Sequence, residues 1–221
     1  MTLYELETAR LRLRQFTLDD IDAYYQAIFS DPDVMRYLPG GVPRPKERTE
    51  ITIRSDQNHW QQHSFGLWAV IYKPEETLIG HCGLMTMPET SEIEVAYALA
   101  KPFWGMGLAT EAAHASLRFG FETVGLDRIV AVAVSENTAS QQVMVKIGMV
   151  YEKIAQVYGT ELPYYTITRT IFRPGNAPWV HERVVRRHGR DESGVPPTRP
   201  TGQRGTRRVL SPRTAHSQDS R

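Results

Sequence analysis

The pattern in this sequence that most suggests chemistry is a pair of glycines, Gly105 and Gly107, between a strand-like and a helix-like segment. Residues 91–99 alternate polar and apolar side chains with the period of two that is typical of a β-strand. Residues 108–119, LATEAAHASLRF, favour a helix. The first amides of a helix lack intrahelical acceptors and lie at the positive end of its dipole. The glycine turn therefore predicts an anion site built from backbone donors.

The residues alone leave more than one ligand open at this turn. A Walker A loop needs a lysine after the second glycine, and Leu108 occupies that position, which excludes it. A dinucleotide fingerprint needs a third glycine where the sequence has Thr110. A simple strand-to-helix turn without a ligand stays open, because an isolated Gly-x-Gly is a weak motif.

A resemblance to a known family narrows these alternatives. The segment WGMGLATEA after EVAYAL resembles the acetyl-CoA pyrophosphate loop of the GNAT superfamily of N-acetyltransferases, and is most similar to its RimJ/RimL-like, ribosomal-protein alanine acetyltransferase branch. Three further segments resemble that branch in the same order: ETARLRLRQFTLDDIDAYYQAIFSDPDVMRYL, FGLWAVIYKPEETLIGHCGL and NTASQQVMVKIGM. Together they cover about residues 8–172. One departure is Pro102, where many members carry Gln or Arg.

The resemblance implies that the chain binds acetyl-CoA as a co-substrate. Where two neighbouring strands splay apart, the amides of Tyr97 and Leu99 would bond the pantetheine arm. Asn137 and Ser140 match the second coenzyme A segment, where a side chain meets the pantetheine or its sulfur. The residues whose amides would bind the pyrophosphate are Met106, Gly107, Leu108, Ala109 and Thr110.

Two residues are candidates for proton transfer. A protonated amine is not a nucleophile, so a base or a water relay must take its proton. Glu94 matches the family's strand carboxylate, and burial would raise its pKa toward a useful range; without the resemblance it would be an exposed strand carboxylate. Ser140 is the hydroxyl available to protonate the leaving thiolate, because Met144 stands where many members have Tyr. The alternative for Ser140 is a hydroxyl that caps the start of a helix.

Other reactive residue types point less clearly to function. His59 and His63 have the helical spacing of a metal pair, but no third ligand is evident, so we predict surface histidines and no metal site. His81 either relays a proton or packs in the core. Cys82 is expected to be a small buried hydrophobe, because direct transfer needs no cysteine nucleophile. Three aromatic residues could line the acceptor pocket or simply pack: Tyr37, Trp68 and Trp104.

Periodicity and breaker residues predict the elements that position these groups. The expected order is β-α-α-β-β-β-α-β-α-β-β, an α/β, GNAT-like fold with a mixed, mostly antiparallel central sheet flanked by helices. The first strand is expected around residues 11–13 and the last should be complete near Arg173. The run RIVAVAV predicts a strand buried on both faces. The loop at 33–45 and the turn at 159–164 are expected to determine the acceptor.

Composition bounds the organisation of the chain. Its 221 residues, 41% of them hydrophobic, fit one N-acetyltransferase domain at 1–173 and a tail at 174–221. The tail has ten Arg, no Lys and four acidic residues, and its composition predicts disorder. It either contacts ribosomal or other RNA through phosphates or is a solvated extension without a partner. A single cysteine indicates a reducing compartment, and no apolar run is long enough for a secretory signal or a membrane helix.

These observations predict a cytoplasmic enzyme without membrane association, as a monomer or a homodimer. The resemblance implies direct acetyl transfer in a ternary complex, from acetyl-CoA to a primary amine. The acceptor would be a protein amino terminus or a small molecule such as an antibiotic or a polyamine. The alternative is a non-catalytic acetyl-CoA-binding or RNA/ribosome-associated module.

Overall fold

The computed structural model describes residues 2–174 and 181–186, and the side chains of residues 4–174. Its strands are β1 Thr2–Glu7, β2 Leu11–Arg14, β3 Leu67–Tyr72, β4 Thr77–Thr86, β5 Ile93–Leu99, β6 Arg128–Val132, β7 Val150–Val157, β8 Thr160–Thr168 and β9 His181–Arg186. Its α-helices are α1 Ile21–Tyr24, α2 Pro32–Met35, α3 Glu47–His63, α4 Leu108–Arg118 and α5 Thr138–Lys146. Short π-helical turns, Tyr25–Phe29 and Phe119–Val124, follow α1 and α4.

The described strands form one sheet in the order β7-β8-β6-β5-β4-β3-β2-β1-β9. The pairing of β5 with β6 is parallel and the other pairings are antiparallel, which confirms the expected mixed, mostly antiparallel sheet. Glu94 and Val130 are the one register pair between β5 and β6, whereas β5 pairs with β4 through seven. The two strands therefore separate along most of β5, in the interior of the sheet rather than at an edge.

Apolar layers cover both faces of this sheet. In β3, Trp68 and Val70 pack in the cluster that contains α4, whereas Ala69 and Ile71 pack in the cluster that contains α1 and α3. Alternate residues of a strand point to opposite faces, so a strand covered on both sides reads as a continuous apolar run. The same holds for β6, where residues 129–131 are fully buried, as predicted from the run RIVAVAV.

Two strands were not predicted from the sequence. β1 forms a hairpin with β2, and β9 pairs antiparallel with β1, from Thr2 opposite Arg186 to Glu7 opposite His181. The sheet therefore continues beyond Arg173, where we expected it to end. The six-residue edge strand β9 could not be predicted from the composition of the 48 tail residues. It forms through backbone hydrogen bonds to β1, which composition does not indicate. Apart from Pro174 and β9, the predicted tail lies outside the described residues, and its disorder and RNA contact stay predictions.

Within the part of the chain that the structure describes, no helix is long and apolar enough to cross a bilayer.

Candidate active site

A cavity of about 850 Å³ lies where β5 and β6 separate. Most of its lining comes from four stretches of chain: β5, the loop that leads into α4, the segment from the end of β6 through α5, and the loop after α2. Three of these stretches contain residues that the sequence predicted for a coenzyme A site. The fourth stretch belongs to the loop at 33–45, which we expected to determine the acceptor.

The glycine turn has the backbone geometry expected of an anion site. Gly105 and Gly107 both have φ of +76°, a left-handed conformation that favours glycine. A Cβ at Gly105 would meet no atom within 4 Å, and one at Gly107 would meet only an Arg10 nitrogen, at 3.7 Å. The turn therefore faces open space rather than packed protein.

The helix that follows the turn leaves its first amides available. The amide of Glu111 donates to the Gly107 carbonyl at 3.1 Å and closes the first turn of α4. The three preceding amides have no acceptor within the helix. They belong to Leu108, Ala109 and Thr110, which all line the cavity. Met106 completes the predicted set; its side chain is 41% exposed and its carbonyl accepts a hydrogen bond from Arg10 Nη1 at 2.8 Å.

Glu94 is a buried carboxylate at the point where β5 and β6 part. Its side chain lines the cavity but is only 5% exposed, which excludes the exposed strand position that its residue type alone suggested. Burial raises its pKa from 4.5 to about 7, against the opposing effect of hydrogen bonds from Tyr158 and the Val132 amide. A carboxylate that titrates near neutrality can accept a proton from an amine and release it again.

Tyr158 is a site residue that the sequence analysis missed. Its hydroxyl donates to Glu94 Oε2 at 2.6 Å, and its backbone amide donates to Glu89 Oε1 at 2.9 Å. It lies in the turn between β7 and β8, immediately before the stretch 159–164, with a left-handed φ of 51°. Burial and the neighbouring Glu94 raise the pKa of the phenol, so the hydroxyl stays protonated. No sequence motif marks this contact, since 64 residues separate the two partners.

On the other side of β5, the second predicted segment forms a hydroxyl pair. Asn137 Oδ1 accepts the Ser140 amide at 3.1 Å, so Asn137 caps α5. Ser140 Oγ instead lies 3.0 Å from the hydroxyl of Tyr97. The alternative in which the Ser140 hydroxyl caps the helix is therefore wrong. Burial raises the pKa of the Tyr97 phenol, which keeps a proton in this pair.

The alternation of β5 separates the two groups of candidates. Glu94 is of even parity on the strand, and Tyr97 and Leu99 are of odd parity, so their side chains lie on opposite faces of the sheet. Glu94 shares its side of β5 with Ala98, which packs against the cluster that contains α1, whereas Tyr97 packs against the cluster that contains α4. The gap between β5 and β6 is thus flanked by a carboxylate on one face and a hydroxyl pair on the other.

His81 also lines the cavity, without the properties of a base. Its Nδ1 lies 2.9 Å from the hydroxyl of the buried Tyr24, and burial lowers the pKa of the imidazole to about 4. Its neighbour Cys82 is fully buried, with Sγ 3.3 Å from Ser116 Oγ, and burial raises the pKa of the thiol to about 12. At neutral pH His81 is therefore uncharged and Cys82 is an inert thiol, as predicted for the cysteine.

The remaining candidates divide between the cavity and the core. Tyr37 and Trp104 line the cavity and pack against each other, with ring centroids 6.2 Å apart. Trp68 is fully buried against other aromatic rings and does not line the cavity. His59 is half-buried and His63 is exposed, and their tilted rings have centroids 4.4 Å apart. Among the side chains that the structure describes, no cluster of three or more His, Cys, Asp or Glu could hold a metal ion.

Comparison with known proteins is consistent with this geometry. A family model described as acetyltransferase (GNAT) domain matches residues 10–150. YkkB of Bacillus subtilis is 31% identical over 163 residues, 73% of this chain and 94% of that protein. The uncharacterized N-acetyltransferase YnaD of the same organism is 34% identical over 144 residues, 65% of this chain and 81% of that protein.

Solved structures agree in fold. A GNAT-family acetyltransferase from Bacillus anthracis superposes with a TM-score of 0.65 at 30% identity, covering 75% of this chain and 99% of that one. RimL, a ribosomal-protein acetyltransferase solved in complex with coenzyme A, superposes with a TM-score of 0.63 over 73% of this chain and 95% of that one. Its 15% identity shows a shared fold and nothing finer.

Proposed function

This chain belongs to the GNAT acetyltransferase family, and from that premise we propose that it transfers an acetyl group from acetyl-CoA to a primary amine. The observation that carries the proposal is the position of Glu94, a buried carboxylate with a pKa near 7 on the same cavity as a glycine turn of free amides. A cavity built only to bind a thioester would not need a desolvated carboxylate at the strand gap, because burying a charge is costly.

The proposed coenzyme A site uses backbone donors and open space. The turn residues Met106 and Gly107 and the first amides of α4, at Leu108, Ala109 and Thr110, would bind the pyrophosphate. The separation of β5 from β6 leaves room for the pantetheine arm beside the amides of Tyr97 and Leu99. Asn137 and Ser140 lie on the same cavity, at the start of α5. The loop itself contributes no Lys or Arg to this part of the site.

The proposed chemistry is a direct transfer within a ternary complex. The amine nitrogen attacks the thioester carbonyl carbon, and a carbon–nitrogen bond forms as the carbon–sulfur bond breaks. Glu94 takes the proton from the amine, directly or through one water, while Tyr158 and the Val132 amide hold the carboxylate in place. The hydroxyl pair of Ser140 and Tyr97 supplies a proton to the departing thiolate.

The acceptor is proposed to enter from the face that carries Glu94. The loop after α2 and the turn that holds Tyr158 both line the cavity there, so they would contact the acceptor. A protein amino terminus, as in the RimJ/RimL-like branch, and a small amine are both compatible with this entrance. Both present the same reacting group.

An amine panel tests the proposal. Purified protein would be incubated with acetyl-CoA and free-amino-terminal peptides, a polyamine or an aminoglycoside, with thiol release and acetylated product measured in parallel. We expect at least one amine to give thiol release equal to amide formed, and the same peptide with a blocked amino terminus to give none. Tight acetyl-CoA binding without transfer to any amine would support the non-catalytic alternative.

A further inference from the structure

The glycine turn has a cation beside it that the local sequence does not contain. No Lys or Arg lies between Lys101 and Arg118 in the sequence, but the fold brings Arg10, from the turn between β1 and β2, to this loop. Its Nη1 donates to the Met106 carbonyl at 2.8 Å, and its Nη2 lies 3.7 Å from the Cβ position of Gly107. The Arg10 side chain is 40% exposed, so it is partly open to solvent.

The same arginine neutralises the acidic residue in the first turn of α4. Glu111 Oε2 accepts from Arg10 Nε at 2.7 Å and pairs with Nη2 at 2.7 Å, and Oε1 accepts from the Arg10 amide at 2.9 Å. Thr8 Oγ1 donates to Oε1 as well, at 2.5 Å. Thr8 is buried and bonded within its own turn, where the Leu11 amide donates to its hydroxyl at 3.0 Å. We call the contacts of Arg10 with Glu111 and with the Met106 carbonyl the Arg10 clamp. This clamp joins a fixed hairpin turn to the start of α4.

The clamp affects where the amides of the loop point. In a trans peptide the C=O and N–H bonds lie in one plane and point in opposite directions across the C–N bond. Because Arg10 holds the Met106 carbonyl on its own side, the Gly107 amide of the same peptide is directed to the opposite side. The ion pair also removes a negative charge that would repel an anion bound at the helix start.

We propose that Arg10 is a positioning residue for the pyrophosphate of coenzyme A. It acts through the Met106 carbonyl and Glu111, fixing the glycine turn in the conformation that presents its amides and cancelling the nearby carboxylate. This inference rests on the proposed coenzyme A site and adds to it a residue from the amino-terminal hairpin. Its prediction is selective: only the pyrophosphate-bearing part of the co-substrate should depend on Arg10.

Acetyl-pantetheine separates this role from a general structural one, because it carries the same thioester without the pyrophosphate. KM would be measured for acetyl-CoA and for acetyl-pantetheine with wild type, Arg10→Met, Arg10→Lys and the control Arg12→Met. Arg12 lies two residues away in the same hairpin, where it forms an exposed ion pair with Glu76 at 2.7 Å.

We expect Arg10→Met to raise KM for acetyl-CoA about tenfold or more, as loss of a charge-assisted hydrogen bond does, and to leave KM for acetyl-pantetheine within about twofold. Arg10→Lys keeps the positive charge but lacks the planar guanidinium group, so its KM for acetyl-CoA should lie between those of wild type and Arg10→Met. Arg12→Met should change neither value. If Arg10→Met does not fold, the Lys variant and Glu111→Gln carry the same comparison.

Three results would overturn the inference. Unchanged KM for acetyl-CoA in both Arg10 variants would show that the loop does not need the clamp. An equal rise for both co-substrates would show a general structural role. A wild-type protein that binds no acetyl-CoA would refute the proposed function itself, and is distinguishable because the wild type alone shows it.

Discussion

Replacing Glu94 with Gln perturbs a single buried proton-binding group, and the structure predicts an effect on stability separate from that on turnover. The side chain is 5% exposed, and burial raises the pKa of the carboxyl from 4.5 to about 7. Gln has nearly the same shape and can still accept from the Tyr158 hydroxyl through its amide oxygen. The substitution therefore removes the charge while preserving one of the contacts.

The sign of the effect follows from proton linkage. Between the two pKa values the folded state binds more protons than the unfolded state, so the free energy of unfolding falls as pH rises through this window. A rise in the pKa of Glu94 from 4.5 to about 7 corresponds to ~3 kcal/mol when complete, and roughly three-quarters of it develops between about pH 5 and pH 8. Because Glu94→Gln has no titrating carboxyl at this position, its free energy of unfolding lacks this fall with pH. Relative to wild type it should gain about 2 kcal/mol between these pH values.

Urea unfolding of both proteins at several pH values between about 5 and 8 measures this difference. Asp56 also has a pKa raised to about 7 by burial, but it is present in both proteins and cancels in the comparison. Glu161→Gln, an exposed position on strand β8, is the matched control and should show no such trend. A difference in unfolding free energy between wild type and Glu94→Gln that stays constant with pH would refute the buried, titrating carboxylate.

Three further perturbations have defined outcomes. Tyr158→Phe removes a hydrogen bond to a buried carboxylate, so the pH of half-maximal turnover should rise by about one unit, and an unshifted profile would count against the contact. Ser140→Ala should slow single-turnover acetyl transfer by roughly tenfold or less, because a thiolate is a good leaving group; a wild-type rate would assign that proton to water. Truncation after Gly175 removes β9 and should lower Tm by about 3 °C or more, whereas truncation after Arg187 should leave Tm unchanged; equal values for both would show that β9 adds no stability.

The sequence predicted the parts of the site that depend on local pattern. The period of two followed by two glycines and a helix-forming run identified the turn, and the helix amides lie where this pattern predicts them. The resemblance suggested Glu94 and Ser140 as candidates, but it did not predict their surroundings. Burial of Glu94 could not be predicted from alternation, because apolar clusters cover both faces of the sheet and every side chain of β5 is buried or half-buried.

The contacts that were missed join residues far apart in the chain. Tyr158 meets Glu94 across 64 residues, and Arg10 meets Glu111 across 101. Each needs the strand order before it can be foreseen. Trp68 was a candidate for the acceptor pocket because of its residue type. Its position on β3 instead directs its side chain into the core, where it is fully buried. β9 was missed because strand pairing, rather than the composition of its segment, holds it.

The pH dependence of acetyl transfer in the ternary complex tests the central claim most directly. The turnover number at saturating acetyl-CoA and amine would be measured for wild type and Glu94→Gln across about pH 5 to 9. The value for wild type would then be divided by that for Glu94→Gln at each pH, so that ionisation of the amine cancels. The account predicts a ratio that rises through a pKa near 7 and reaches a plateau above it. A ratio near one at every pH would contradict Glu94 as the base.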